Sequence, residues 1–355
     1  MLVIKGDVLA SPAVGIFLEP ESLGRFPVAL LTGFLGSGKT TLLNRLLAHN
    51  AMANTAVVVN EYGDVALDQH LIAASDGEVT VMANGCLCCV LQDDFAGIVG
   101  TLFARRAHGD VPAFDRLIVE TTGLADPAPI VQLLLNSPLL VPHVRLDAVI
   151  ATIDAVHGAR SLDSHREAVK QAALADRLVL TKTDLADAGT ADALAARLAA
   201  LNPAAPLHRA RRGEIDPALL FGAGDAVRIA ERAAHESEHD HRHGDGIVTF
   251  CLAAETPLDW PALSRWLTRL RVGEGERLLR VKGLMNVAGE SGPVVIHGVH
   301  HVFHPPVRLP RWPDADRRTR IVIIGDGLDR QAVEEEWRAF LAGAPDETGD
   351  ASQWA

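Results

Sequence analysis

Apolar residues in this chain come in short unbroken runs separated by stretches with helical spacing. From Pro27, PVALLTG is a run of buried-strand character, and KTTLLNRLLAH beyond it carries leucines at the spacing of a helix. Further strand-like runs stand at TAVVVNE (55–61), FDRLIVETTG (114–123), RLDAVIATID (145–154) and ADRLVLTKTD (175–184), with helix-like stretches between them. Strands alternating with helices predict an α/β fold, a parallel sheet with helices on both faces, since parallel neighbours need a crossover that a helix supplies. This pattern fills residues 27–225.

The polar tract AHESEHDHRHGDG, residues 234–246, has no apolar period, and residues 226–246 read as an exposed His-rich linker. Beyond it the order changes to a strand at GIVTFCLA, an amphipathic helix at DWPALSRWLTRLR, and strands at ERLLRVKG, GPVVIHGVHHVF and TRIVIIGDG. Residues 247–330 therefore predict a smaller α+β domain whose antiparallel sheet is covered by helices. Residues 331–355 read as a C-terminal helix, QAVEEEWRAFLAG, and a tail. Residues 1–26 show no clear period and form an N-terminal extension with no role assignable from sequence.

Charge and cysteine usage narrow the classes. A net charge of −12 over 355 residues argues against a nucleic-acid partner, which shows as a basic patch or domain. No apolar run reaches the ~20 residues of a membrane span, and the N-terminus lacks a basic segment leading into an apolar one. The expectation is a cytoplasmic protein with no membrane attachment. Three of the four cysteines, Cys86, Cys88 and Cys89, fall within four positions. A disulfide framework is not spaced this way, and reduced clustered thiols point to metal or redox chemistry.

GFLGSGKT, Gly33 to Thr40, matches G-x-x-x-x-G-K-[ST] between a strand and a helix. Gly33, Gly36, Ser37 and Gly38 let backbone N–H groups surround a β-phosphate. Lys39 reaches the β/γ oxygens, the Thr40 hydroxyl ligates Mg²⁺, and Thr41 continues the helix whose positive end faces the anion. The fold expected around this loop is a P-loop NTPase. A second acidic group belongs on a neighbouring strand, and Glu120, ending RLIVE, supplies it for Mg²⁺, directly or through water. The Gly123 amide can then contact a γ-phosphate. TKTD, Thr181 to Asp184, follows another apolar strand. Asp184 accepts from N1–H and the exocyclic amine of guanine, a donor pair adenine lacks, while Lys182 lays its stem across the ring, so GTP is preferred over ATP.

With these pieces in place the chain resembles the CobW-type GTPases, relatives of the UreG and HypB metal-insertion GTPases. The likeness rests on TGFLGSGKTTLLN, VNEYGDVALD, NGCLCC, ETTGLADPAP, ADRLVLTKTD, the His-rich tract and RVKGLMNVAGE with PVVIHGVHHVFHPP, covering Pro27 to about Asp329. The resemblance implies a GTP-dependent metallochaperone with Zn²⁺, Co²⁺ or iron as cargo. It makes Asn60 to Asp64 part of switch I, Glu120 to Gly123 the switch II element, and Cys86, Cys88 and Cys89 the metal motif. Two departures stand out: Tyr62 and Asp64 replace the family's Phe and Glu, and Thr181 replaces the Asn of the usual guanine motif, losing a side-chain amide contact.

Three cysteines spaced C-x-C-C cannot all face one way on a strand, so an irregular loop is expected, eased by Gly85. Such a loop can aim three thiolates at Zn²⁺, at about 2.3 Å, leaving a fourth position for an incoming client ligand. Packing as small apolar residues and a vicinal Cys88–Cys89 disulfide are the alternatives. Glu61 and Asp64 are candidate further ligands or Mg²⁺ contacts. His239, His241 and His243, with His235, can collect a metal loosely or simply belong to a solvated linker. His297, His300, His301 and His304 alternate on a strand and cannot all converge, which favours packing or client contact over a second metal cluster.

The expected function is a GTPase that transfers Zn²⁺ to a client metalloprotein, hydrolysis gating release. Cobalt or iron insertion, and metal storage with nucleotide-gated binding, are the alternatives; an ATP-dependent kinase is disfavoured by the T-K-x-D element.

Overall fold

The computed structural model describes residues 25–60, 79–82, 92–222, 241–242 and 246–343. Strand β1 (Phe26–Gly33) leads into helix α1 (Lys39–Leu47). There follow β2 (Thr55–Asn60), β3 (Val79–Met82), α2 (Gln92–His108), β4 (Arg116–Glu120), α3 (Ala128–Asn136), β5 (Val144–Asp154), α4 (Gly158–Ser164), α5 (Arg166–Leu174), β6 (Arg177–Thr181), α6 (Ala188–Leu201) and β7 (Leu207–Arg209). The seven strands form one parallel sheet in the order β3-β2-β4-β1-β5-β6-β7. β1 lies between β4 and β5, where the winding reverses, and the carboxyl ends of these strands open the crevice in which such sheets take ligands.

β1 and β6 are buried along nearly their whole length, which is why they read as unbroken apolar runs rather than alternating ones. The two faces are covered unequally. α2 to α6 pack over one face around Phe95, Ile130, Val149, Leu174 and Leu198. Among the described residues the other face is covered by α1, through Leu42, Leu43 and Leu46, with Met52 and Leu220 beside it. In this sheet the sequence pattern does not predict β3 and β7, both short and both at its edges.

The second sheet is antiparallel and built from β8 (His241–Arg242), β9 (Ile247–Ala254), β10 (Leu278–Met285), β11 (Val294–Val299), β12 (Val302–Phe303), β13 (Val307–Arg308) and β14 (Thr319–Asp326). Helices α7 (Trp260–Glu274) and α8 (Arg330–Leu341) cover one face, with Trp266 and Trp337 meeting edge to face at 4.7 Å between centroids. Val333 and Trp337 belong to this core, so α8 is integral to the sheet it follows. The stretch expected as linker ends in structure: His241 and Arg242 pair with Thr249 and Val248.

The opposite face of the second sheet packs on the first domain, not on a helix of its own. Ile247, Val299, Val322 and Ile324 join the core beneath α3, α5 and α6. Arg280, Lys282 and His297 share that face, and Arg280 and Lys282 of β10 both reach Asp176, at the start of β6, with Lys282 Nζ 2.8 Å from its carboxylate. No helix among the described residues is long and apolar enough to cross a membrane.

Candidate functional site

The loop between β1 and α1 turns through Gly36 and Gly38, whose φ angles of 70° and 94° suit glycine and disfavour other residues. Gly38 caps α1 without a side chain, so the first N–H groups of the helix face the loop. Neighbouring strands hold the loop's shape. Ser37 Oγ shares a 2.7 Å hydrogen bond with Thr152 Oγ1 of β5, and its carbonyl accepts from Thr181 Oγ1 at 2.6 Å. Lys39 lies along its own loop, donating to the Gly33 and Phe34 carbonyls at 2.8 and 3.3 Å. Burial lowers its pKa, partly offset by the Glu120 carboxylate.

Thr40 Oγ1 donates to Glu120 Oε1 at 2.8 Å, joining the start of α1 to the end of β4. A hydroxyl and a carboxylate brought together beside a lysine form a hard-oxygen donor set of the kind Mg²⁺ takes at phosphate sites. Past Glu120, the Thr121 hydroxyl donates to Thr32 Oγ1 at 2.9 Å and the chain turns back over the P-loop. Gly123 packs so tightly there that a Cβ would come within 2.6 Å of the Leu35 backbone nitrogen. Movement of one loop is therefore felt by the other. Leu35 and Leu124 stand exposed at this rim.

At the far end of the crevice, Lys182 takes a left-handed φ of 54°. Its ammonium donates to the Gly36 carbonyl and to Asp154 Oδ2, both at 2.7 Å, so its stem bridges the loop after β6 and the P-loop. Asp154 ends β5 and also accepts from the N–H groups of Val156 and His157. Burial pushes its carboxyl up, but Lys182 and these two N–H groups outweigh it and hold the acid below its usual range. Asp184 accepts the Arg212 N–H at 3.1 Å, which keeps its carboxyl ionised at lower pH than usual. The Thr183 hydroxyl donates to the Ala210 carbonyl, bringing residues 210–213 against the motif, and Gly213 lies on the backbone of Thr41. A cavity of about 140 Å³ opens beside the P-loop, lined by Phe34, Ser37, Asp154, His157, Gln171 and Lys182.

The structure thus gathers Gly33, Gly36, Ser37, Gly38, Lys39, Thr40, Glu120, Gly123, Thr181, Lys182 and Asp184 around one crevice. The Thr181 hydroxyl is buried against the P-loop, donating to the Ser37 and Ile153 carbonyls. Sequence reasoning missed Thr152, Asp154, Gln171 and the 210–213 loop. Asp154 carried a signal, a carboxylate at the carboxyl end of a parallel strand.

Cys86, Cys88, Cys89, Glu61, Asp64, His239 and His243 lie outside the described residues, and of His241 only the backbone is described. Among the described residues no three His, Cys, Asp or Glu side chains are grouped to hold a metal. His297 and His304 face each other with ring centroids 5.8 Å apart, while His300 takes a left-handed backbone conformation in the turn after β11.

Comparison with known proteins places this geometry. The family profile described as CobW/HypB/UreG, nucleotide-binding domain, matches residues 27–209, and that of the cobalamin synthesis protein cobW C-terminal domain matches residues 247–341. The chain is 35% identical over 319 residues to the zinc chaperone YjiA of Escherichia coli, covering 89% of this chain and 98% of that one. It is 32% identical to the zinc chaperone CobW of Pseudomonas aeruginosa, covering 92% and 94%. A zinc-regulated GTPase metalloprotein activator of Saccharomyces cerevisiae is 28% identical, covering 89% and 84%. The crystal structure of Zn(II)-bound YjiA GTPase from E. coli superposes with a TM-score of 0.65 at 30% identity, covering 90% of this chain and 98% of that one.

Proposed function

Because the chain belongs to the CobW family, with a CobW/HypB/UreG nucleotide-binding domain followed by a CobW C-terminal domain, we propose that it is a cytosolic GTP-hydrolysing zinc metallochaperone. Cys86, Cys88 and Cys89 carry the ion as cargo, a client metalloprotein receives it, and GTP hydrolysis gates release. The observation that carries this reading is the packing of Gly123 on the Leu35 backbone beside the Thr40–Glu120 contact. One loop that reads the γ-phosphate is thereby set against the loop that holds it.

The residues divide the work. The N–H groups of the P-loop and Lys39 neutralise the phosphate oxygens, where charge develops as the γ-phosphoryl group leaves. Thr40 and Glu120 would hold Mg²⁺, which would supply further neutralisation of the phosphate charge. Asp184 selects guanine, and Asp154 fixes Lys182 across its plane. Once GTP has become GDP and phosphate, the Gly123 loop loses its anionic contact. The segment carrying the thiolates lies in sequence between this loop and residues 60–64, so both of its flanks respond to the nucleotide.

The test is Zn²⁺ affinity of the reduced protein, with Co²⁺ beside it, in GDP and in a non-hydrolysable GTP analogue, repeated with all three cysteines changed to Ser. A difference of about tenfold between nucleotides, about 1.4 kcal/mol of coupling, abolished in the Ser variant, is expected. Tight binding that ignores the nucleotide would instead mark a storage protein, and a preference for Co²⁺ a cobalt carrier.

A further inference from the structure

Gln171 is 1% exposed in the middle of α5, yet its side chain serves the nucleotide crevice. Its Nε2 donates to the Gly123 carbonyl at 3.1 Å and to the Ala125 carbonyl at 3.0 Å. One residue earlier, Lys170 Nζ pairs with Asp126 Oδ2 at 3.2 Å. α5 therefore grips the switch II loop at 123, 125 and 126, and two of those grips need a buried donor facing two carbonyls.

The same helix is fastened to the second sheet at both ends. Arg166, in its first turn, pairs with Asp326 at the end of β14. Asp176, two residues past its last turn, takes Arg280 and Lys282 of β10, while its other oxygen accepts the Val149 N–H of β5 at 2.8 Å. Between these ends α5 packs on β10 and β1. A nine-residue helix is a rigid rod of roughly 13 Å. A shift of the second sheet against the first domain is thus delivered to Gln171, and from it to the loop lying on Leu35.

We propose that Gln171 is a positioning residue for GTP hydrolysis: it holds the Gly123 loop against the P-loop, at a position set through α5 by the seating of the C-terminal sheet. This rests on the reading of Gly123 as the γ-phosphate contact. No chemical step passes through the amide; it acts through the two carbonyls it binds.

The experiment uses the full chain with Mg²⁺ and GTP, measuring kcat for phosphate release, GDP affinity and the urea midpoint. Gln171→Met keeps the volume and loses both donors. Arg166→Ala is an exposed change that loosens α5 from β14 and spares the core. The expected result is that Gln171→Met lowers kcat about tenfold with GDP affinity within about twofold. Arg166→Ala lowers kcat about threefold, and the double variant is no worse than Gln171→Met alone, since the anchor acts only through the hook. Gln171→Glu, which points a carboxylate at two carbonyls, is expected to be worse than Met. An unchanged kcat in Gln171→Met, single effects that multiply in the double variant, or a loss of kcat matched by GDP affinity and midpoint, would each overturn the proposal. If wild-type turnover does not exceed that of Lys39→Ala, the GTPase reading fails and takes the proposal with it.

Discussion

Thr181 occupies the first position of the T-K-x-D element, where an amide is usual, and its hydroxyl ties that element to the P-loop. It donates to the Ser37 and Ile153 carbonyls at 2.6 and 3.1 Å, both buried. Thr181→Val, similar in shape but without the donor, leaves a buried carbonyl unpaired. It should cost about 1–3 kcal/mol in urea unfolding and weaken GDP binding, with Thr181→Ser restoring most of both. A Val variant as stable as wild type would show that the loop is held otherwise. Asp184 has the opposite exposure and a different task. Its ionised carboxylate is kept in place by the Arg212 N–H, so Asp184→Ala should reduce the preference for GTP over ATP by roughly tenfold or more in competition binding, with little change in fold. The P-loop and the T-K-x-D element were legible because each motif keeps a fixed spacing along the backbone. Thr152 and Gln171 were not, because their partners lie far along the chain, 115 positions away for Ser37 and Thr152.

Elements were legible where burial is two-sided. β1, β5 and β6 are apolar runs because neither face meets water, whereas β7, with the sequence LHR, is a half-buried edge with nothing periodic to read. β10 is the instructive case. Its sequence, LLRVKGLM, places Arg280 and Lys282 on one face, which suggests a solvated side, yet all eight residues are buried. The charges are tolerated because Asp176 arrives from a segment 104 positions earlier, a match no local pattern announces. Burial pushes the Asp176 carboxyl up, but Arg280 and Lys282 outweigh it and hold it well below the usual carboxylate range. Asp176→Asn should therefore cost about 3–5 kcal/mol, since it strands buried charge. Lys282→Met, which leaves the Asp176–Arg280 pair intact, should cost much less. Equal losses in chemical denaturation would mean that both act by packing alone.

The two domains share a seam whose charge state links the fold to pH. His297 and His304 lie there among Arg280, Lys282 and Asp176. Burial, reinforced by the two cations, pushes His304 down to about 4 and His297 well below its ordinary 6.5. At neutral pH both imidazoles are uncharged in the folded protein. The unfolded chain therefore binds a proton at His304 between pH 6.5 and about 4 that the folded chain does not, His297 acts in the same direction, and stability falls as pH drops through that window. The Asp176 contribution lies elsewhere: its depressed pKa gives stability that is present above the ordinary carboxylate value of 3.8 and lost below it. The windows can be separated. Urea unfolding at pH 7 and pH 5 should show a clear loss in the wild type, and His297→Gln with His304→Gln should flatten it, because Gln cannot take up the proton. A double variant that loses as much as wild type would place the acid sensitivity outside the seam. The expected loss also has a functional side. The seam is where α5 is fastened, so moderate acid should loosen the Gly123 loop and slow GTP turnover before the protein unfolds.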